Sequence, residues 1–257
     1  IVHPVSVGRA INLGTNAAGV LGLTDAELDR IAAATLVIGR DDATAAGTIT
    51  ASANLTLSTN VTLVTGAGVA GSSSITVGAA TPTTLTVRQA GTSTFGGVLG
   101  GPGANENNFN LTFDGPGTLT LTGSNTYTGA TKLSGGTLAV STLANGGTSS
   151  GIGASTNAAS NLVFDGGKLR YTGAGSVATD RGFTLNAGGG TIDVLNGATT
   201  LVVGGGGTGA GGLVKEGAGI LTLTGTSNYT GGTTVSAGTL RIGNGVANGS
   251  VSGDVLN

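Results

Sequence analysis

Residues 115–140, GPGTLTLTGSNTYTGATKLSGGTLAV, return without a gap at 217–242 as GAGILTLTGTSNYTGGTTVSAGTLRI, a constant offset of 102 positions. Fifteen of the 26 positions are identical, and identity falls on Gly, on alternate Leu and Thr, and on Tyr127 and Tyr229. Those residues set backbone shape and fill a core. A unit reused in this way builds a solenoid or a propeller rather than a single closed core.

Short runs that alternate an apolar residue with Thr, Ser or Asn fill most of the remaining chain. Examples are Leu55 to Ser58, Val61 to Val64, Leu85 to Val87, Phe109 to Phe113, Thr191 to Val194 and Leu201 to Val203. Period-2 alternation buries one face of a strand and wets the other. Clusters of Gly, Asn and Ser, such as Gly146 to Gly151 and Gly204 to Gly207, separate the runs and supply the positive φ angles of tight bends. The chain therefore reads as all-β. At ~20 to 25 residues per coil the offset spans about four or five coils and the chain roughly eleven. Stacked at ~4.8 Å, they make a rod about 50 Å long.

One segment departs from this pattern. Thr24 is placed as an N-cap, Glu27 closes a capping box, and Leu23 and Leu28 form a hydrophobic staple, which predicts a short helix over 24–34. Leu28 and Ile31 share one of its faces, so it is expected to lie against a flank or an end of the rod.

Composition removes several function classes. Charged residues make up 9% of the chain and aromatics 3%, which leaves little material for an enzyme pocket. Apolar residues at 38% exclude disorder despite 52 Gly. The net charge is -2, with basic residues scattered from Arg9 to Arg241, so there is no nucleic-acid footprint. Cys is absent, which excludes disulfides, thiolate nucleophiles and the common structural zinc sites. No run approaches the length of a transmembrane helix, and Ile1 opens no signal-peptide pattern, so the chain is expected to be a mature piece of a longer protein.

The stretch Gly211 to Gly243, GGLVKEGAGILTLTGTSNYTGGTTVSAGTLRIG, resembles the passenger-associated transport repeat of bacterial autotransporters, which reads GGLxKxGxGxLTLTGxNxYTGxTxVxxGTLxxG. Phe95 to Gly100 followed by Gly115 to Val140 resembles a second copy, in which Phe113-Asp114-Gly115 stands where the pattern has Lys-x-Gly. Residues 245–257 are similar to the coil that follows such repeats. Leu21 to Gly39 resembles segments of large secreted haemagglutinin-like proteins. The resemblance implies a right-handed parallel β-helix, secreted across the outer membrane by a type V route, whose repeats assist folding and export. It also implies an outer-membrane translocator as a partner during export. The expected organisation is N-terminal coils over 1–90, carrying the helix, and a β-helix over 91–257 with repeats at 95–140 and 211–243.

A polysaccharide lyase or hydrolase on this fold needs carboxylates and cations converging on one face. Asp114, Asp165, Asp193, Glu216 and the Asp41-Asp42 pair are spaced into separate coils, and His3, the single histidine, stands at the start. No catalytic, metal or cofactor-binding residue is therefore assigned, and no cofactor is expected. Gly204 to Gly209 satisfies GxGxxG without a following helix and reads as a loop. Lys215-Glu216 reads as an exposed pair. Thr118, Thr120, Thr122, Thr222 and Thr224 are expected to face outward, as strand residues or as a flat hydroxyl array of the kind that binds ice. Tyr127 and Tyr229 are expected to pack at equivalent turns with one ring edge wet; the alternative for them and Tyr171 is stacking on glycans.

The function expected is a non-enzymatic extracellular β-helical scaffold or adhesin segment, with a host-matrix or glycan ligand. The alternatives are a filament or sheath subunit that self-associates through its terminal coils, and a surface polysaccharide-degrading enzyme.

Overall fold

The computed structural model describes residues 1–40, 46–78, 80–103 and 105–257; the Asp41-Asp42 pair lies outside them. The chain is a parallel β-helix of about nine turns with three faces. Face 1 is an eight-stranded sheet that starts at Thr35–Gly39 and continues through Asn60–Thr65, Thr83–Gln89, Phe109–Phe113, Thr131–Leu133, Leu162–Phe164 and Phe183–Leu185 to Gly207–Gly209. Face 2 is a twelve-stranded sheet reaching from Leu21–Thr24 to Val255–Leu256. Face 3 is less regular. Leu55–Leu57 pairs with Ile75–Val77, and Ser176–Thr179, Thr200–Val203, Ile220–Leu223 and Thr239–Ile242 form a second ladder. Isolated bridges at Ile75–Leu99 and Asn125–Ser150 lie between the two ladders in the sequence.

Register explains the core. On face 1, Ile38, Leu63, Val87, Phe113, Leu133, Phe164 and Leu185 stand directly above one another, all buried. Each such side chain contributes about 1.5 to 3 kcal/mol on burial, so stability is spread along the axis. All eight Phe and Tyr residues fall between Phe95 and Tyr229, and all are buried; before Phe95 the core is aliphatic.

The turn count is lower than the roughly eleven expected, because two stretches do not add turns. Residues 141–161 are an excursion between the face-1 strands Thr131–Leu133 and Leu162–Phe164. Residues 1–31 close the first end: Ile11–Gly14 pairs with Leu21–Thr24 on one side and Ile49–Ala51 on the other, so chain order inverts there.

The helix forms at this end but covers only Asp25–Asp29, shorter than 24–34. Its capping box is present: Thr24 Oγ1 accepts from Glu27 N at 3.3 Å, and Glu27 Oε2 accepts from Thr24 N at 2.9 Å. Leu28 is buried, and Leu23 and Ile31 pack on the core. Beyond the helix, the chain is tied to the next coil. Thr59 Oγ1 donates to Ala33 O at 2.5 Å and Asn60 Nδ2 to Ala34 O at 3.1 Å, which draws the chain out into face 1. Asp25 Oδ1 accepts from Thr56 N at 2.7 Å, so the helix occupies the place of a strand below the first strand of face 3.

Candidate functional site

Each copy of the repeat contains both members of two stacked strand pairs. In the first, Phe109–Phe113 pairs with Thr131–Leu133 on face 1, and Thr118–Leu121 with Thr137–Val140 on face 2. In the second, Leu213–Glu216 pairs with Thr233–Val235 on face 2, and Ile220–Leu223 with Thr239–Ile242 on face 3. The 102-residue offset, expected above at about four or five coils, is therefore four turns plus one face. Three similar faces let one sequence fold on any two consecutive ones.

The same internal devices appear in both copies. Tyr127 sits on face 3 and Tyr229 on face 1, each fully buried, with hydroxyl distances of 2.7 Å to Thr131 and 2.6 Å to Thr233. Neither ring keeps a wet edge; the threonine takes the place of water. Burial raises the pKa of both phenols. Tyr171 is also buried, so none of the three rings is available to stack on a sugar. Two residues before each Tyr, Asn125 Oδ1 accepts from Leu99 N and Ser227 Oγ from Gly207 N, both at 2.9 Å. Gly136 and Gly238 have φ of 51° and 71°, and a Cβ there would stand 2.2 and 2.3 Å from the carbonyl oxygens of Gly115 and Gly217. Only glycine fits both constraints.

The charged residues tie coils together. Arg88 pairs with Asp114 at 2.6 Å, Lys132 with Asp165 at 3.2 Å, Arg170 with Asp193 at 2.7 Å, and Lys168 with Glu216. The Lys132 ammonium holds the Asp165 carboxyl below its ordinary pKa. Asp193 is 3% exposed, and its Oδ1 makes no hydrogen bond within the protein. It lies in register between Arg170 and Glu216, so the two acids, in separate coils as expected, are neighbours on one ladder. His3 Nδ1 is 3.0 Å from Pro4 O. Among the described residues no group of three or more His, Cys, Asp or Glu gathers to hold a metal.

Three surface expectations are corrected. Lys215 is fully buried rather than half of an exposed pair: it stacks in register with Ile192 and donates to the carbonyls of Glu216 (2.5 Å), Gly217 (2.8 Å) and Ala237 (3.1 Å). Desolvation lowers its pKa. Thr118 and Thr120 lie on face 2 whereas Thr222 lies on face 3 and is buried, so the threonines form no single flat array. Gly207–Gly209 is a face-1 strand, so only the first half of Gly204 to Gly209 is loop.

Sequence reading passed over Thr179-Asp180-Arg181. Thr179 Oγ1 donates to Ala144 O at 2.8 Å. Asp180 accepts from Gly146 N at 2.7 Å and Asn157 Nδ2 at 3.1 Å. Arg181, 3% exposed, donates to the carbonyls of Ala144, Thr148 and Gly153 and to Ser155 Oγ. The signal available was the Gly146 to Gly151 cluster; nothing in it announces a partner more than 20 residues on.

Comparison with known families matches residues 111–140 and 213–242 to the passenger-associated-transport-repeat family. Both copies of the internal repeat are similar to that family over nearly their whole length. Over 124 residues, 48% of its length, the chain is 56% identical to the adhesin BmaC autotransporter of Brucella suis biovar 1 (strain 1330). The chain spans about 4% of that protein. No solved structure matches. Each matched repeat supplies two strand pairs, a buried Tyr–Thr bond and a glycine corner.

Proposed function

We propose that the chain is an extracellular, non-enzymatic β-helical scaffold of an adhesin, exported across the outer membrane and displayed at the cell surface. The observation that carries this is the 56% identity to an adhesin autotransporter. The charge economy supports it, because Asp114, Asp165, Asp193 and Glu216 each meet a cation and act as ties between coils. The translocator is its partner during export, and a host-matrix or glycan surface its partner afterwards. We place the functional division near residue 90: capping coils before it, repeats and every aromatic residue after it. End-to-end stacking is disfavoured at the first coil, where the Asp25–Asp29 helix occupies the position a neighbouring strand would need on face 3.

The test is adherence of the purified chain to cultured host cells and immobilised matrix proteins. Saturable binding is expected. Absence of saturable binding to any of these surfaces, or turnover of a polysaccharide by the chain, overturns the reading.

A further inference from the structure

We infer that the arm from Ala144 to Asn157 is a preformed recognition surface and that its ligand is a neutral, hydroxyl-rich oligosaccharide. The inference rests on the adhesin reading and names the site for it. Connections in compact repeats are short, and a long segment without regular structure is characteristically functional. Residues 141–158 contain no strand or helix, although the coils before and after are regular.

The arm is held in one shape at an energetic cost. A buried guanidinium with no carboxylate on it is expensive to desolvate. What the Thr179-Asp180-Arg181 clamp secures is the position of Ala144, Gly146, Thr148, Gly153, Ser155 and Asn157. Preorganisation of this kind removes the ordering cost from ligand binding.

The chemistry of the outer surface selects the ligand. The exposed polar side chains of the arm, Asn145, Thr148, Thr156 and Asn157, and Ser160 just beyond it, are small and neutral, and both clamp charges are turned inward onto the arm. Nothing there attracts a sulfated or sialylated chain, and no large apolar side chain offers a seat for a hydrophobic peptide. Asn145 gives its carbonyl to Asp180 N and keeps its NH2 group, whereas Asn157 gives its NH2 to Asp180 and keeps its carbonyl. A fixed donor on one residue and a fixed acceptor on the other, both tied to Asp180, complement the paired hydroxyls of a sugar ring.

The experiment presents the full chain, Thr148→Arg and Ser160→Arg to a printed array of neutral and acidic oligosaccharides and to host cells. Both positions are exposed, and neither side chain makes a hydrogen bond, so unfolding temperatures are expected to stay equal. The inference requires binding to neutral oligosaccharides that falls at least tenfold in each variant. Binding confined to acidic glycans, binding that survives both substitutions, or no glycan binding overturns it. Equal adherence of all three proteins to cells sinks the arm but leaves the adhesin reading standing; no adherence by the unaltered chain sinks that reading itself.

Discussion

The hydroxyl of Tyr229 lies 2.6 Å from that of Thr233 inside the rod, and Tyr127 makes the same bond to Thr131 at 2.7 Å on a different face. A ring of this size is buried four residues from the one group that satisfies its polar end. The pair explains why the repeat keeps Tyr and Thr at this spacing on whichever face it lands.

Tyr229→Phe is expected to destabilise the chain by about 1 to 3 kcal/mol, because Thr233 loses its buried partner. Adding Thr233→Val to it recovers part of that loss. A double-mutant cycle in chemical denaturation reads the coupling, and additive costs would contradict the bond.

Gly136→Ala is expected to cost about 2 kcal/mol or more, since left-handed backbone and a Cβ 2.2 Å from the Gly115 carbonyl oxygen penalise it together. Gly135→Ala next door meets that same oxygen at 3.3 Å and has no positive φ, so it should be far milder. Thermal unfolding of the two variants decides.

Arg170→Ala strands a carboxylate that is 3% exposed and should cost about 3 kcal/mol or more. Lys132→Ala opens a pair whose side chains are 42% and 33% exposed and should cost about 0 to 1 kcal/mol. Equal effects would mean that Asp193 is not held by Arg170.

Asp25→Ala removes the acceptor for Thr56 N. Hydrogen exchange is expected to rise in Asp25–Asp29 and Leu55–Leu57 and to remain unchanged in the repeats. A global rise would show that the first end limits the stability of the whole rod.

Alkaline pH bears on Tyr127 and Tyr229, whose pKa values burial raises. Above about pH 10 the unfolded chain releases phenolic protons that the folded chain retains, so their contribution is complete below that pH and is lost as pH rises. Lys215 works in the other direction: its lowered pKa means that stability increases between its folded value and about 10.4, where the unfolded chain also loses the proton. Phenolate absorbance should therefore appear together with unfolding, and Tyr229→Phe should reduce the alkaline loss by about 1.4 kcal/mol per pH unit.

The solenoid, the strands and the capping box were legible because they rest on local rules: alternation, Gly at bends, and a Thr three residues before Glu. Turn count and face were not, since each depends on how far a coil wanders before it returns. Leu213 and Leu111 occupy the same repeat position yet lie on different faces. Lys215 read as surface because its three carbonyl partners come from the corner and the next coil. Arg181 was missed for the same reason, its partners being set by the path of a loop and not by spacing. Among carboxylates, spacing put Asp193 and Glu216 in separate coils, but only register shows that those coils are adjacent.

The offset of four turns plus one face makes the rod a screw rather than a ruler. Duplicating the 102-residue block would extend the rod by about 21 Å at the spacing of stacked strands. It would also re-aim everything beyond by a third of a revolution, and three duplications would restore the original heading. Growth by this unit would send successive copies of any outward feature to three compass points, so that one side of the rod always faces an approaching surface.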